Sequence, residues 1–109
     1  MAGKFEIYKD KSGEFRFRLK AANGQNILAS EGYKKKSSCQ NGIESVRKNC
    51  QNDSRYEIKK TSSGKRMFNL KAANNQVIGT SQSYQSSSGC KNGIESVKKN
   101  ASDAQVVEI

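Results

Sequence analysis

A chain of 109 residues with 33% hydrophobic residues and no Trp is sized for one domain with a small core of Phe, Ile, Leu, Val and Ala. Twenty Lys and Arg against ten Asp and Glu give a formal net charge of +10, which favours anionic partners or surfaces. There is no His, so imidazole acid–base chemistry is excluded, and no run approaches the roughly 20 apolar residues of a membrane-spanning helix.

The segment Met1-Ala2-Gly3-Lys4 leads directly into a strand pattern without the apolar stretch of a signal peptide, so a cytoplasmic protein is expected. Phe5 and Ile7 alternate with Glu6 and Tyr8, the period of a half-buried strand. Asp10-Lys11-Ser12-Gly13 then supplies a turn, with Gly where a positive φ is expected and Gly64 in the corresponding place later. In the next run Phe15, Phe17, Leu19 and Ala21 face one way and Glu14, Arg16, Arg18 and Lys20 the other, so one face packs and the other is wet. Asn23-Gly24 predicts a type I′ turn into a third strand over residues 25–30, and Asn74-Asn75 takes its place in the second half, since Asn tolerates the left-handed region.

After a loop carrying Tyr33 the period changes. Cys39, Ile43, Val46 and Cys50 recur at spacings of four, three and four, one face of a helix. Ser37 or Ser38 is expected to cap its start, Arg47 and Lys48 to suit its C-terminal dipole, and Asn49, like Asn100, to stop it in a left-handed conformation. Gly42 and Gly93 inside the helices cost about 1 kcal/mol relative to Ala, which predicts a close approach of the helix to the sheet or to the other helix.

These elements occur twice. Phe5–Cys50 and Tyr56–Ala101 align without a gap at an offset of 51 residues, with about half of the positions identical. Asn41-Gly42-Ile43-Glu44-Ser45-Val46 returns unchanged as residues 92–97, and a third partial copy, Val107-Glu108-Ile109, matches Phe5-Glu6-Ile7. Two copies that are each marginal alone are best stabilised by one shared core. Repeat one is therefore placed at about residues 4–53, repeat two at about 54–103, and a closing strand at about 105–109, expected to return and pair with repeat one.

Lys20-Ala21-Ala22-Asn23-Gly24-Gln25 followed by Asn41 to Asn49, with Phe5-Glu6-Ile7-Tyr8 ahead of them, resembles the YegP-like family of small bacterial proteins of uncharacterised function. The resemblance covers nearly the whole chain in both copies. It implies that tandem members fold alone, as three strands, a helix and a strand per unit, with a continuous sheet and exchanged C-terminal strands. The expected fold is thus α+β: two pseudosymmetric β-β-β-α-β repeats forming one antiparallel sheet with two helices on one face. The resemblance brings no catalytic residues.

Chemistry has little to build on. The repeated carboxylates, Glu6 with Glu57 and Glu108, and Glu44 with Glu95, show no convergence in the sequence. Glu44 and Lys48, like Glu95 and Lys99, have the spacing of solvated helix ion pairs. Ser45 and Ser96 lack a base partner. No enzyme, cofactor or metal is expected. Cys39 and Cys90 are repeat equivalents and Cys50 is unmatched. Reduced thiols packed as apolar groups are the expectation, with a Cys39–Cys90 bridge as the alternative.

The reading is a basic, monomeric, non-enzymatic binding or structural module. The alternative is sequence-nonspecific binding to a nucleic-acid backbone through Arg16, Arg18 and Lys20 on the wet strand face and Lys34, Lys35 and Lys36 in the loop before the helix. Repeat two has Met67 and Asn69 where repeat one has Arg16 and Arg18, so the basic surface is not symmetric.

Overall fold

The computed structural model describes residues 3–109. In repeat one, β1 (Lys4–Lys9), β2 (Phe15–Lys20) and β3 (Asn26–Ala29) form a meander, followed by α1 (Lys36–Asn49). After a single 3-10 turn at Asp53–Arg55, repeat two follows with β4 (Tyr56–Lys60), β5 (Arg66–Lys71), β6 (Val77–Thr80) and α2 (Ser87–Ala101), and β7 (Gln105–Glu108) closes the chain. Among the described residues no helix is long and apolar enough to cross a membrane.

The strands make one sheet in the order β4-β5-β6-β3-β2-β1-β7. β3 meets β6 antiparallel at Ala29 and Thr80, and this seam carries the pseudo-twofold axis. The closing strand pairs with repeat one as expected, but the sheet is mixed and not wholly antiparallel, because β7 runs parallel to β1. The twofold relation makes it so. β4 and β7 each leave an equivalent helix and run in opposite senses, β4 opposes β1 across the axis, and β7 therefore shares the sense of β1.

Both helices pack on one face of the sheet. α1 covers β2 together with β5 and β6 of the other repeat, and α2 covers β5 together with β1, β2 and β3. The core is continuous across the axis and includes Phe5, Phe17, Leu19, Leu28, Phe68 and Leu70. Each repeat contributes an equivalent aromatic triplet, with Tyr56 in the place of Phe5. Phe17 stands edge-on to Phe5 at 5.8 Å and stacks on Tyr33 at 6.5 Å, and Phe68 does the same with Tyr56 and Tyr84 at 5.6 and 6.4 Å, geometries that suit ring quadrupoles. The helix glycines answer to these rings. A Cβ on Gly42 would lie 2.6 Å from the Tyr33 hydroxyl, and one on Gly93 would collide with that of Tyr84.

Several local expectations are corrected. Gly24 has φ +85 and Asn75, its equivalent, φ +70, but Asn23 and Asn74 do not, so the turn is not type I′. Instead Gly24 N–H closes on Ala21 C=O at 2.9 Å and the register shifts after Leu19, a type I turn followed by a left-handed bulge residue. Neither Ser37 nor Ser38 caps α1, which begins after Lys35 without a side-chain cap, whereas Ser86 caps α2 by accepting from Gly89 N–H. Asn49 and Asn100 remain helical, their amides donating to the carbonyls of Ser45 and Ser96 at 2.8 and 2.7 Å. Glu44 and Glu95 pair at i+3, with Arg47 and Lys98, and not at i+4. Cys39, Cys50 and Cys90 are buried free thiols, and burial pushes Cys39 up to about 11.

Candidate functional site

Because the helices occupy one side, the strands present their other side chains on a bare face. On β1 and β2 this face consists of three cross-strand pairs: Lys4 with Lys20, Glu6 with Arg18 and Tyr8 with Arg16. On β4 and β5 the corresponding residues are Glu57 with Asn69 and Lys59 with Met67, and Lys71 continues the face along β5.

Glu6 organises the repeat-one half. It is only 5% exposed, accepts from Arg18 Nε at 2.7 Å, and lies 3.4 Å from both Lys4 Nζ and Lys20 Nζ. The hydrogen bond from Arg18, aided by Lys20 and Lys4, holds its carboxyl below the usual range despite burial. Arg18 also stacks its guanidinium over Tyr8 at 4.6 Å. Arg16 donates to Asp10 at 2.7 Å, and Arg16 with Ser12 holds the Asp10 carboxyl far below its ordinary range. A second hydrogen bond ties Arg16 to Ser30 C=O at 3.3 Å.

The six sequence-derived candidates do not share one face. Arg16, Arg18 and Lys20 lie together on the open face. Lys36 pairs with Glu108, which is opposite Ile7, a core residue whose side chain faces the helices, so Lys36 belongs to the covered side of the sheet. Lys34 and Lys35 are exposed in the segment leading to α1. Sequence reasoning missed Lys4, Lys59 and Lys71 on the open face, although the alternation that places Glu6 and Tyr8 outward places Lys4 with them.

Repeat two offers a weaker version of this surface. Glu57 lies 3.0 Å from Lys71 and 3.7 Å from Lys59, and Lys71 draws its carboxyl below the usual range. Between the halves, a cleft of about 510 Å³ opens at the seam, lined by Arg16, Ala29, Ser30, Glu31, Thr80 and Ser81, among others. Ser30 and Ser81 are held there alike, each hydroxyl accepting from Phe17 or Phe68 N–H at 2.9 Å. Among the described residues no group of three or more Cys, Asp or Glu is placed to hold a metal ion. Glu6, Asp10 and Glu57 on the open face each lie beside at least one cation.

The domain of unknown function DUF1508 matches residues 10–57 and again 62–108. A UPF0339 protein from the ptx operon 5′ region of Stutzerimonas stutzeri is 66% identical over 100% of this chain and 98% of its own length. The UPF0339 protein YegP of Escherichia coli K12 is 51% identical over 97% of this chain and 96% of its own. Among solved structures, the NMR structure of the Escherichia coli protein of unknown function yegP superposes with a TM-score of 0.94 at 50% identity, covering 99% of this chain and 93% of that one. A UPF0339 protein of Shewanella oneidensis gives a TM-score of 0.92 at 45% identity, covering 99% and 92%. With both repeats matched and the full length shared, the chain belongs to the DUF1508 family, carried among these relatives as UPF0339 and of unknown function.

Proposed function

We propose that this protein is a cytoplasmic, monomeric, non-enzymatic binding module that takes an anionic partner on the open face of its sheet. The observation that carries this reading is the one-sided packing of the helices. It leaves a bare face on which Lys4, Arg16, Arg18, Lys20, Lys59 and Lys71 outnumber Glu6, Asp10 and Glu57. A net-positive sheet attracts and orients extended anions. The polyanion this favours is a nucleic-acid backbone, bound without sequence preference. The outward aromatic of β1, Tyr8, is already covered by Arg18, so base stacking, the usual route to sequence readout on a sheet, has no free platform there.

Titration of a fluorescent single strand and a fluorescent duplex at low salt tests the reading. Binding should fall steeply with added salt, with a slope set by the phosphates neutralised. Changing Lys4 and Lys20 to Gln should weaken it with both ligands alike. Salt-independent binding, or none at low salt, would overturn the nucleic-acid reading.

A further inference from the structure

The two outer edges of the sheet are not equivalent. Beside β1, β7 pairs in register from Lys4 with Gln105 to Ile7 with Glu108, and Ile109 N–H donates to Ile7 C=O at 2.9 Å. The Arg47 guanidinium at the end of α1 fixes its approach by donating to Ala104 C=O at 2.6 Å. In repeat two the same reception is prepared. Lys98 of α2 is the equivalent of Arg47, and it pairs with Asp53, the equivalent of Ala104 at the 51-residue offset. The chain thus arrives where a β7-like strand would begin. The 3-10 turn at Asp53–Arg55, with Asn52 accepting from Ser54 N–H, then carries it inward to become β4, and among the described residues no strand occupies the place outside β4.

That place has the features of a strand site. Ile58 is 40% exposed, while its equivalent Ile7, under β7, is 1% exposed. Phe68 spends both backbone groups on Ser81, with Ser81 N–H reaching Phe68 C=O and Phe68 N–H reaching the Ser81 hydroxyl. In an antiparallel ladder its partner Ile58 must then point its own N–H and C=O outward. Beside them lies a cleft of about 300 Å³ lined by Asp53, Tyr56, Ile58, Lys91, Ile94 and Glu95. The equivalent cleft in repeat one, lined by Gln40, Asn41, Ile43 and Glu44, is smaller, about 220 Å³, and Val106 of β7 forms one of its walls.

We propose that the β4 edge is a docking site for an extended segment of another protein, added as a parallel eighth strand, with an apolar residue opposite Tyr56 and an acidic residue opposite Ile58, on the side of the edge where Lys91 lines the cleft. The orientation and the apolar position opposite Tyr56 follow from β7 on the equivalent edge, where Val106 sits opposite Phe5. The acidic position follows from Glu108, which sits opposite Ile7 on that edge, and from Lys91, which lines the cleft beside Ile58. Strand addition of this kind draws affinity from the main chain and selectivity from alternate side chains. A second copy of this chain is a poor occupant, because it brings another +10 of charge and its own edge lysines. The site is separate from the open face and does not rest on the polyanion reading.

The probe is a synthetic peptide with the sequence of residues 103–109, Asp-Ala-Gln-Val-Val-Glu-Ile, titrated into the isotope-labelled full chain and followed by amide NMR. Saturable shifts should centre on residues 56–60 and 91–95, with slowed amide exchange at Ile58. N-methylation of the peptide residue corresponding to Ile109 removes the donor to Ile58 C=O and should weaken binding about tenfold, the scale of one unmade hydrogen bond. Ile58→Glu, which sets a like charge against the peptide glutamate opposite it, should weaken it comparably while leaving the rest of the spectrum in place. The proposal is overturned if no saturable shift occurs, if the shifts centre on β1, or if N-methylation has no effect. Concentration-dependent shifts of β4 without peptide would overturn it in favour of self-pairing.

Discussion

Glu6-Ile7 and Glu57-Ile58 are the same dipeptide at the same place in two copies of one strand, and their surroundings differ. Ile7 is 1% exposed and Ile58 40%. The Glu6 side chain is 6% exposed and that of Glu57 41%. Their cross-strand neighbours are Phe17 and Phe68 for the isoleucines, which are alike. What differs is a strand arriving from the far end of the chain, beside β1 and not beside β4, and the exchange of Arg18 for Asn69. Burial here is a property of the closed pair and not of the repeat, so an edge is sealed on one side and open on the other although the local sequence is shared.

The largest test of this comparison is the pair Ile7→Ala and Ile58→Ala. Removing a buried Ile side chain costs roughly 2–5 kcal/mol, while the exposed equivalent should cost under about 1 kcal/mol. Chemical denaturation midpoints measure both, and equal losses would show that β7 does not shelter Ile7. Removing residues 105–109 comes next. It deletes the parallel pairing of four residues and should cost roughly 2–4 kcal/mol, on the scale of a few hydrogen bonds and the apolar area they cover. In that truncated chain Ile7→Ala should cost much less than in the full one, because the truncation already exposes the side chain. If the two losses simply add, β7 is not the source of the difference.

Much of the fold was legible because the duplication acts as an internal alignment. The partial match of Val107-Glu108-Ile109 to Phe5-Glu6-Ile7 placed β7 against repeat one, and the spacing of Cys39, Ile43, Val46 and Cys50 found the buried face of α1, all of which is buried. Features that depend on tertiary partners were not legible. Serines near a helix start do not reveal that Lys35 takes the cap position in one copy and Ser86 in the other. Asn49 and Asn100 resemble left-handed stops by type, yet each is engaged by the carbonyl one turn back. The basic stripe Arg16-Arg18-Lys20 was visible, but not that Glu6 and Asp10 neutralise part of it, or that Lys36 falls on the other side of the sheet. Those outcomes require the register of β1 on β2 and the path of β7, which no local pattern contains.

A smaller effect separates the hairpin turns. Gly24 sits at φ +85 with no neighbour within reach of an added Cβ, and Asn75 holds the same place at φ +70. Gly24→Ala should therefore cost about 1 kcal/mol through backbone conformation alone. Gly24→Asn should cost less than half of that, since the second repeat already uses this residue there. Thermal midpoints of the two variants report the difference. Equal costs would mean that the two turns are conformationally distinct.

The finest distinction lies in the pH dependence of the two glutamates. The carboxyls of both Glu6 and Glu57 are held below the ordinary value, Glu6 chiefly by the Arg18 hydrogen bond and Glu57 chiefly by that from Lys71. A carboxyl whose pKa is lower in the folded than in the unfolded state stabilises the fold fully above its ordinary value of 4.5. That contribution is lost as pH falls through the lower folded value. Thermal midpoints measured from about pH 6 to about pH 3 should therefore drop, since protonation is taken up preferentially by the unfolded chain. Glu6→Gln should flatten this drop more than Glu57→Gln, because Glu6 is clamped by Arg18, Lys4 and Lys20 where Glu57 meets two lysines on an exposed edge. High salt should shrink the Glu57 contribution first, as exposed pairs are screened more than sheltered ones. Identical pH profiles for the two variants would mean that β7 and Arg18 leave the electrostatics of the two edges alike, and the asymmetry of the open face would then be one of shape alone.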